Sequence, residues 1–184
     1  MVTINKKFNF NRVKEDYYRL DLGFFYFDDD AVYYTESHYM IRIYYVDFFK
    51  SDCDIDTSML VGKKLSIQAI KILQKNKFKI SNGEFIINDN VKITPQDDVN
   101  DFLTKIKKVL YNDNREKFET SIVSFPKIKE VLSICSRLKY FQMHFFDNGR
   151  TAIINFLDSC LIEKVSILIM GEIISDSDNL NEVL

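Results

Sequence analysis

Two Asn-Gly dipeptides, Asn82-Gly83 and Asn148-Gly149, each stand between runs in which apolar residues alternate with polar ones. Asn-Gly supplies both positive-φ positions of a type I′ turn, the two-residue connection whose twist matches a β-hairpin. Such a loop leaves no freedom of register. Around Asn82-Gly83 it sets Ile80 against Phe85 and Phe78 against Ile87, with Lys77, Lys79 and Asn88 on the other face. Around Asn148-Gly149 it pairs Phe145 with Ala152, Met143 with Ile154 and Phe141 with Phe156 on an apolar face. The opposite face carries Phe146 with Thr151, His144 with Ile153 and Gln142 with Asn155, a mixed set.

The chain must therefore contain antiparallel sheet, and its other segments read accordingly. Val2, Ile4, Phe8 and Phe10 recur at period two, which predicts a first strand over Val2–Phe10, followed by a short helix over Asn11–Leu20. Leu22–Phe49 is dense in Phe, Tyr, Ile and Val and is interrupted at Asp28-Asp29-Asp30 and near Thr35, predicting a meander of three strands. Lys64–Lys75 has helical spacing, with Lys64, Gln68, Lys71 and Lys75 on one stripe and Leu65, Ala69, Ile72 and Leu73 opposite. Thr94-Pro95 predicts an N-cap and first helical position, with Val99, Phe102, Leu103, Ile106, Val109 and Leu110 following. Pro126 opens a further helix that buries Ile128, Val131, Leu132, Cys135 and Leu138. Val165–Met170 reads as a buried strand, and 175–184 as a loose tail.

The fold class is α+β: antiparallel sheet from the aromatic meander and the two hairpins, packed with three to four helices. At 184 residues, with 46% hydrophobic and 28% charged residues, the chain can bury a core and is expected to form one domain, with 111–120 as the best subdomain boundary. Helix followed by hairpin occurs twice, at 64–88 and 126–156, and an equivalence of these units stays open. No run of about 18 uncharged apolar residues is present, and the N-terminus lacks an apolar signal region. Three scattered cysteines fit reduced thiols rather than a disulfide framework. These features predict a cytoplasmic protein.

Recognised catalytic motifs are missing. Asp52-Cys53-Asp54-Ile55-Asp56 begins like an EF-hand loop, but Thr57 and Lys63 stand where that loop needs glycine and a bidentate Glu. His38 and His144 have no Cys or His partner at zinc-ligand spacing, and the chain has no GxSxG, GxGxxG or GxxxxGK[ST] sequence. Glu36 and Asp47 are candidates for paired carboxylates only in the generic sense that acids are plentiful. No cofactor is expected.

Charge and tyrosine remain. Residues 21–62 carry nine acids against Arg42 and Lys50, whereas 63–83 carry six lysines and no acid. Eight of the ten tyrosines lie in the first 45 residues. In a strand, neighbours such as Tyr33-Tyr34 and Tyr44-Tyr45 point to opposite faces, so one of each pair is expected at the surface. Tyrosine is enriched at interfaces, and acids steer a basic partner. The sequence thus suggests a small inhibitor or immunity-type protein that neutralises a basic protein partner. Its contact residues are expected to be Tyr26, Asp28, Asp29, Asp30, Tyr33, Tyr34, Tyr44, Tyr45, Asp52, Asp54 and Asp56. Two alternatives stand beside it: an enzyme with a dispersed site containing His144, His38 and Cys160, or a nucleic-acid binder using the lysines from Lys63 to Lys79.

Overall fold

A computed structural model of the chain describes residues 1–13, 22–36, 38–52, 54–88, 90–110, 117–118, 125–138, 140–146, 151–157 and 163–170. The N-terminal strand β1 is shorter than its periodicity suggests, spanning Val2–Ile4, and a 3-10 turn over Phe10–Arg12 follows. Val2, Ile4, Phe8 and Phe10 are nevertheless all buried, so the apolar spacing marks the core rather than one continuous strand. Most of the expected Asn11–Leu20 helix lies outside the described residues.

The aromatic meander is present as β2 (Phe24–Phe27), β3 (Ala31–Thr35) and β4 (Tyr39–Tyr44), paired antiparallel in sequence order. It ends earlier than its composition implies. Tyr45–Phe48 makes one helical turn, α1, before β5 (Phe49–Ser51) pairs with β1.

Lys63–Ser66 forms β6, with Phe25 opposite Leu65 and Tyr26 opposite Lys64. The helix α2 therefore runs Ile67–Lys75 and not from Lys64, its start set by Ser66, whose Oγ accepts from the Ala69 N–H at 3.2 Å. The first hairpin has the expected register: β7 (Lys79–Ser81) and β8 (Glu84–Asn88) pair Ile80 with Phe85 across Asn82 (φ 51°) and Gly83 (φ 75°). Strand β9 (Val91–Ile93) extends it to three strands. The next helix is not capped at Thr94-Pro95. Gln96–Asp97 instead pairs with β6 as β10, and Thr94 Oγ1 donates to Glu84 at 2.8 Å. The helix α3 runs Phe102–Leu110 with the Asp98 carboxylate accepting from the Leu103 N–H at 2.8 Å. Val99, counted on its buried stripe, is 87% exposed because it precedes that start.

Lys117–Phe118 forms β11, and α4 covers Phe125–Ile134, burying Val131 and Ile134, with Cys135 buried in the turn just past its end. The second hairpin, β12 (Tyr140–Phe146) and β13 (Thr151–Leu157), has all six expected pairs, while its turn and the tail lie outside the described residues. Strand β14 (Glu163–Met170) is buried over Val165–Ile169, as its apolar run predicts.

These elements build a nine-stranded antiparallel sheet in the order β10-β6-β2-β3-β4-β14-β13-β12-β11. The β4–β14 pair, with Ile41 opposite Ile167, joins strands from either side of 111–120 in one sheet. The two helix-hairpin units are not placed alike, since β7 and β8 belong to the separate three-stranded sheet. The fold class is the expected α+β.

One face of the large sheet, including Phe25, Phe27, Tyr34, Ile41, Ile154 and Ile167, packs with α2, α4 and the smaller sheets. The other, including Tyr26, Ala31, Tyr33, Met40 and Leu168, packs on Leu103, Ile106 and Leu110 of α3. Among the described residues no helix is long and apolar enough to cross a membrane.

Candidate protein-binding surface

Because both faces of the meander are covered, its tyrosines are not a surface set. Tyr26, Tyr33 and Tyr34 are each at most 1% exposed, which corrects the expectation that one of Tyr33 and Tyr34 faces solvent. Alternation does send them to opposite faces, but each face meets its own core. Tyr44 is half-buried, with the Arg42 guanidinium 4.6 Å from its ring centre, and packs beside the α3 side of the sheet.

Tyr45 is placed differently. As the first residue of α1 it leaves the strand alternation and turns toward the β2–β3 turn. Its N–H donates to the Asp30 carbonyl at 2.9 Å, and its hydroxyl donates to the Asp28 carbonyl at 2.6 Å. Its ring stacks on Phe27 and Phe49, with centroids 6.4 and 5.8 Å away. Burial, together with the charges of Asp28, Asp29 and Asp30, pushes its phenol well above the ordinary value, so it stays a neutral donor.

Beside it lies an open groove of about 510 Å³ lined by Tyr45, Val46, Phe49, Ser51, Asp54, Ile55 and Thr57. Val46, at 80% exposed, stands on its rim. Tyr45 and Phe49 touch here because the turn of α1 brings i and i+4 together, whereas a strand would put them on one face but about 13 Å apart. Five of the seven lining residues thus fall outside the set foreseen from composition. A helical turn at Tyr45–Phe48 is the signal that would have found Phe49.

The acids divide by role. Asp29, Asp30, Asp52, Asp54 and Asp56 are exposed. Asp28 is buried, and its carboxylate accepts from the Lys107 ammonium at 2.5 Å, a pairing that removes it from the surface. The Asp56 carboxylate accepts from the Ser58 hydroxyl and N–H at 2.6 and 3.0 Å, and these bonds hold it below the usual carboxylate range. It starts the 3-10 turn over Ser58–Leu60. Of the expected contact residues, Tyr45 and Asp54 line the groove; the Asp28 and Asp30 carbonyls are bonded to Tyr45 from the β2–β3 turn, while Tyr26, Tyr33 and Tyr34 are buried in the sheet.

The lysine stripe is broken up. Lys63 pairs with Asp97 at 2.5 Å, Lys64 lies over the Phe24 and Tyr26 rings at 4.8 and 5.8 Å, and Lys71 donates to the Val13 carbonyl at 3.1 Å. Lys75, Lys77 and Lys79 are exposed. Of the thiols, Cys135 is buried in the core and pushed up to about 12 by that burial, so it cannot serve as a nucleophile near neutral pH. Cys53 and Cys160 lie outside the described residues, and with Cys160 the proposed approach to His144. Among the described residues no group of three or more His, Cys, Asp or Glu is arranged to hold a metal ion.

Comparison with protein-family models, with curated proteins and with solved structures finds no match.

Proposed function

We propose that this chain is an inhibitor or immunity-type protein that binds a basic protein partner at the Tyr45–Thr57 groove. The observation that carries the reading is the groove's make-up: Tyr45, Phe49 and Ile55 with the exposed Asp54 in its lining, and the exposed Asp29 and Asp30 in the β2–β3 turn to which Tyr45 is bonded. An apolar centre within a charged rim is how protein interfaces divide affinity from steering. A cationic side chain with an aliphatic stem, Lys or Arg, suits both parts, its stem on the rings and its charge at the carboxylates. The hydroxyl bond from Tyr45 to Asp28 holds the floor in place before a partner arrives, which lowers the entropic cost of binding.

The test is capture of the tagged chain's partner from its host, followed by association kinetics with the purified partner. The paired reversal Asp29→Lys/Asp30→Lys, and separately Asp54→Lys, is expected to slow association about tenfold at low salt and much less at high salt. Val46→Glu is expected to speed dissociation with little effect on encounter. A partner whose association ignores all three changes overturns the reading, as does retention only through nucleic acid.

A further inference from the structure

We infer that the solvent face of the two smaller sheets binds the phosphate backbone of nucleic acid, at a surface distinct from the Tyr45–Thr57 groove and independent of its reading. The two sheets are continuous. Val2 and Phe78 exchange both main-chain hydrogen bonds, at 2.8 and 2.9 Å, in an antiparallel bridge that joins β1 to the chain entering β7. The strand order across the bridge is therefore β5-β1-β7-β8-β9.

Alternation then sorts the side chains. Val2, Phe49, Phe78, Phe85 and Ile93 face the main core, so their neighbours along each strand face away from it. These neighbours include Lys50 on β5, Lys77 and Lys79 on either side of Phe78, and Lys92 on β9, and all four lysines are exposed. The register sets Lys50 opposite Thr3, and Lys79 and Lys92 on either side of Ile86. One acid, Glu84, stands among them. Its carboxylate lies 3.9 Å from the Lys92 ammonium and accepts from the Thr94 hydroxyl, and the Lys92 side chain remains 54% exposed. A net positive face is thus built on a chain whose total charge is -2. Only Lys77 and Lys79 come from the lysine-rich segment; Lys50 and Lys92 are brought in by strand pairing. Strand β5 divides this face from the groove, since Phe49 and Ser51 line the groove and Lys50 between them points away.

The chemistry of the face chooses the occupant. None of these positions carries an aromatic ring, so the face lacks both the anchors of a protein hot spot and a platform for stacking bases. Basic charge with no apolar group to insert holds a bilayer only weakly. A duplex, by contrast, presents a negative charge for about every 1.7 Å of its axis, and it is held by charge alone when its bases are not read. Lysines two apart in extended chain stand about 7 Å apart, and their flexible stems let the ammonium groups follow successive phosphates. Binding of this kind is blind to sequence.

Fluorescence anisotropy of the full chain with two short labelled DNA duplexes of unrelated sequence tests this. Both duplexes are expected to bind alike, with log K falling against log salt at a slope of about -3 to -4, the share of four phosphate contacts. Each of Lys50→Gln, Lys77→Gln, Lys79→Gln and Lys92→Gln is expected to reduce that slope by about one. The four together are expected to leave almost no salt-dependent binding while circular dichroism shows the fold kept. Lys105→Gln/Lys108→Gln removes two exposed lysines from α3, on the far side of the large sheet, and is expected to leave the slope unchanged. Duplexes that stay unbound at low salt overturn the inference. So does binding indifferent to the four lysines, a strong preference between the two sequences, or tighter capture by poly-glutamate or by phosphatidylserine vesicles than by duplex.

Discussion

The Tyr45 hydroxyl donates to the Asp28 carbonyl oxygen at 2.6 Å, so a residue of α1 closes the end of the β2–β3 turn. The same turn accepts the Tyr45 N–H at Asp30, which makes Tyr45 a double clamp on the acidic segment. Tyr45→Phe keeps the stacked ring and removes one hydrogen bond. It is expected to cost about 1 kcal/mol in chemical denaturation, the usual net worth of such a bond. A partner should also bind less tightly, because the acidic β2–β3 turn bonded to Tyr45 loses part of its support. An unchanged midpoint would show that the bond contributes nothing.

Lys107 and Asp28 make the ion pair with the greater structural consequence. Asp28 is buried, so removing its cation by Lys107→Met strands a carboxylate in a poorly hydrated place. The Lys107 side chain is itself partly exposed, which lets water reach the pair and limits the expected loss to about 1–2 kcal/mol. Lys63→Met breaks the pair with the largely exposed Asp97 and is expected to cost under about 1 kcal/mol. Equal costs would mean that burial of Asp28 does not matter.

The core should respond to alkali. Burial pushes Cys135 from its ordinary 9.0 up to about 12, and raises Tyr39 and Tyr45 from 10.0. In the unfolded chain each ionises near its ordinary value, so above about pH 9 the unfolded state releases protons that the folded state keeps. The stability these groups contribute is complete below pH 9 and is lost as pH rises toward 12. Thiol labelling at pH 8 with peptide mapping should leave Cys135 unmodified until denaturant is added. Fast modification in native buffer would contradict its place in the core.

Tyr39 offers the opposite kind of test. Its side chain is fully buried, and among the described residues its hydroxyl has no hydrogen-bond partner. Tyr39→Phe keeps the ring against Tyr34 and removes an oxygen that folding strips of water. The substitution is expected to be neutral or stabilising by up to about 1 kcal/mol. A loss above about 1 kcal/mol would show that the hydroxyl is in fact bonded.

Gly83 has φ 75°, and a Cβ built there would lie 3.1 Å from the Met59 carbonyl oxygen. Gly83→Ala therefore meets both a backbone penalty and a contact with atoms that cannot rotate away, and is expected to cost about 1–2 kcal/mol. Gly62→Ala, at φ 74° with open space around it, isolates the backbone part and should cost less. Equal costs would assign the effect to φ alone.

The features legible from residue order are those that neighbours along the chain decide. Asn82-Gly83 determines which side chains of the first hairpin oppose each other, and the alternation on either side of the second predicts Met143 against Ile154 and Phe141 against Phe156. The apolar stripe of α4 is equally local. Other features depend on contacts that no local pattern encodes. Lys64–Ser66 belongs to the stretch read as helical, yet it becomes part of a strand because β2 offers an open edge and Ser66 caps the helix behind it. Tyr45–Phe48 reads as strand, yet it coils because its N–H and hydroxyl find carbonyls in the β2–β3 turn. The tyrosines Tyr26 and Tyr33 are withdrawn from solvent by α3, a helix far along the chain whose Lys107 also takes up Asp28. Composition placed acids and tyrosines in one segment, but whether a side chain meets solvent depends on what packs over the sheet, and that is decided by burial of both faces at once.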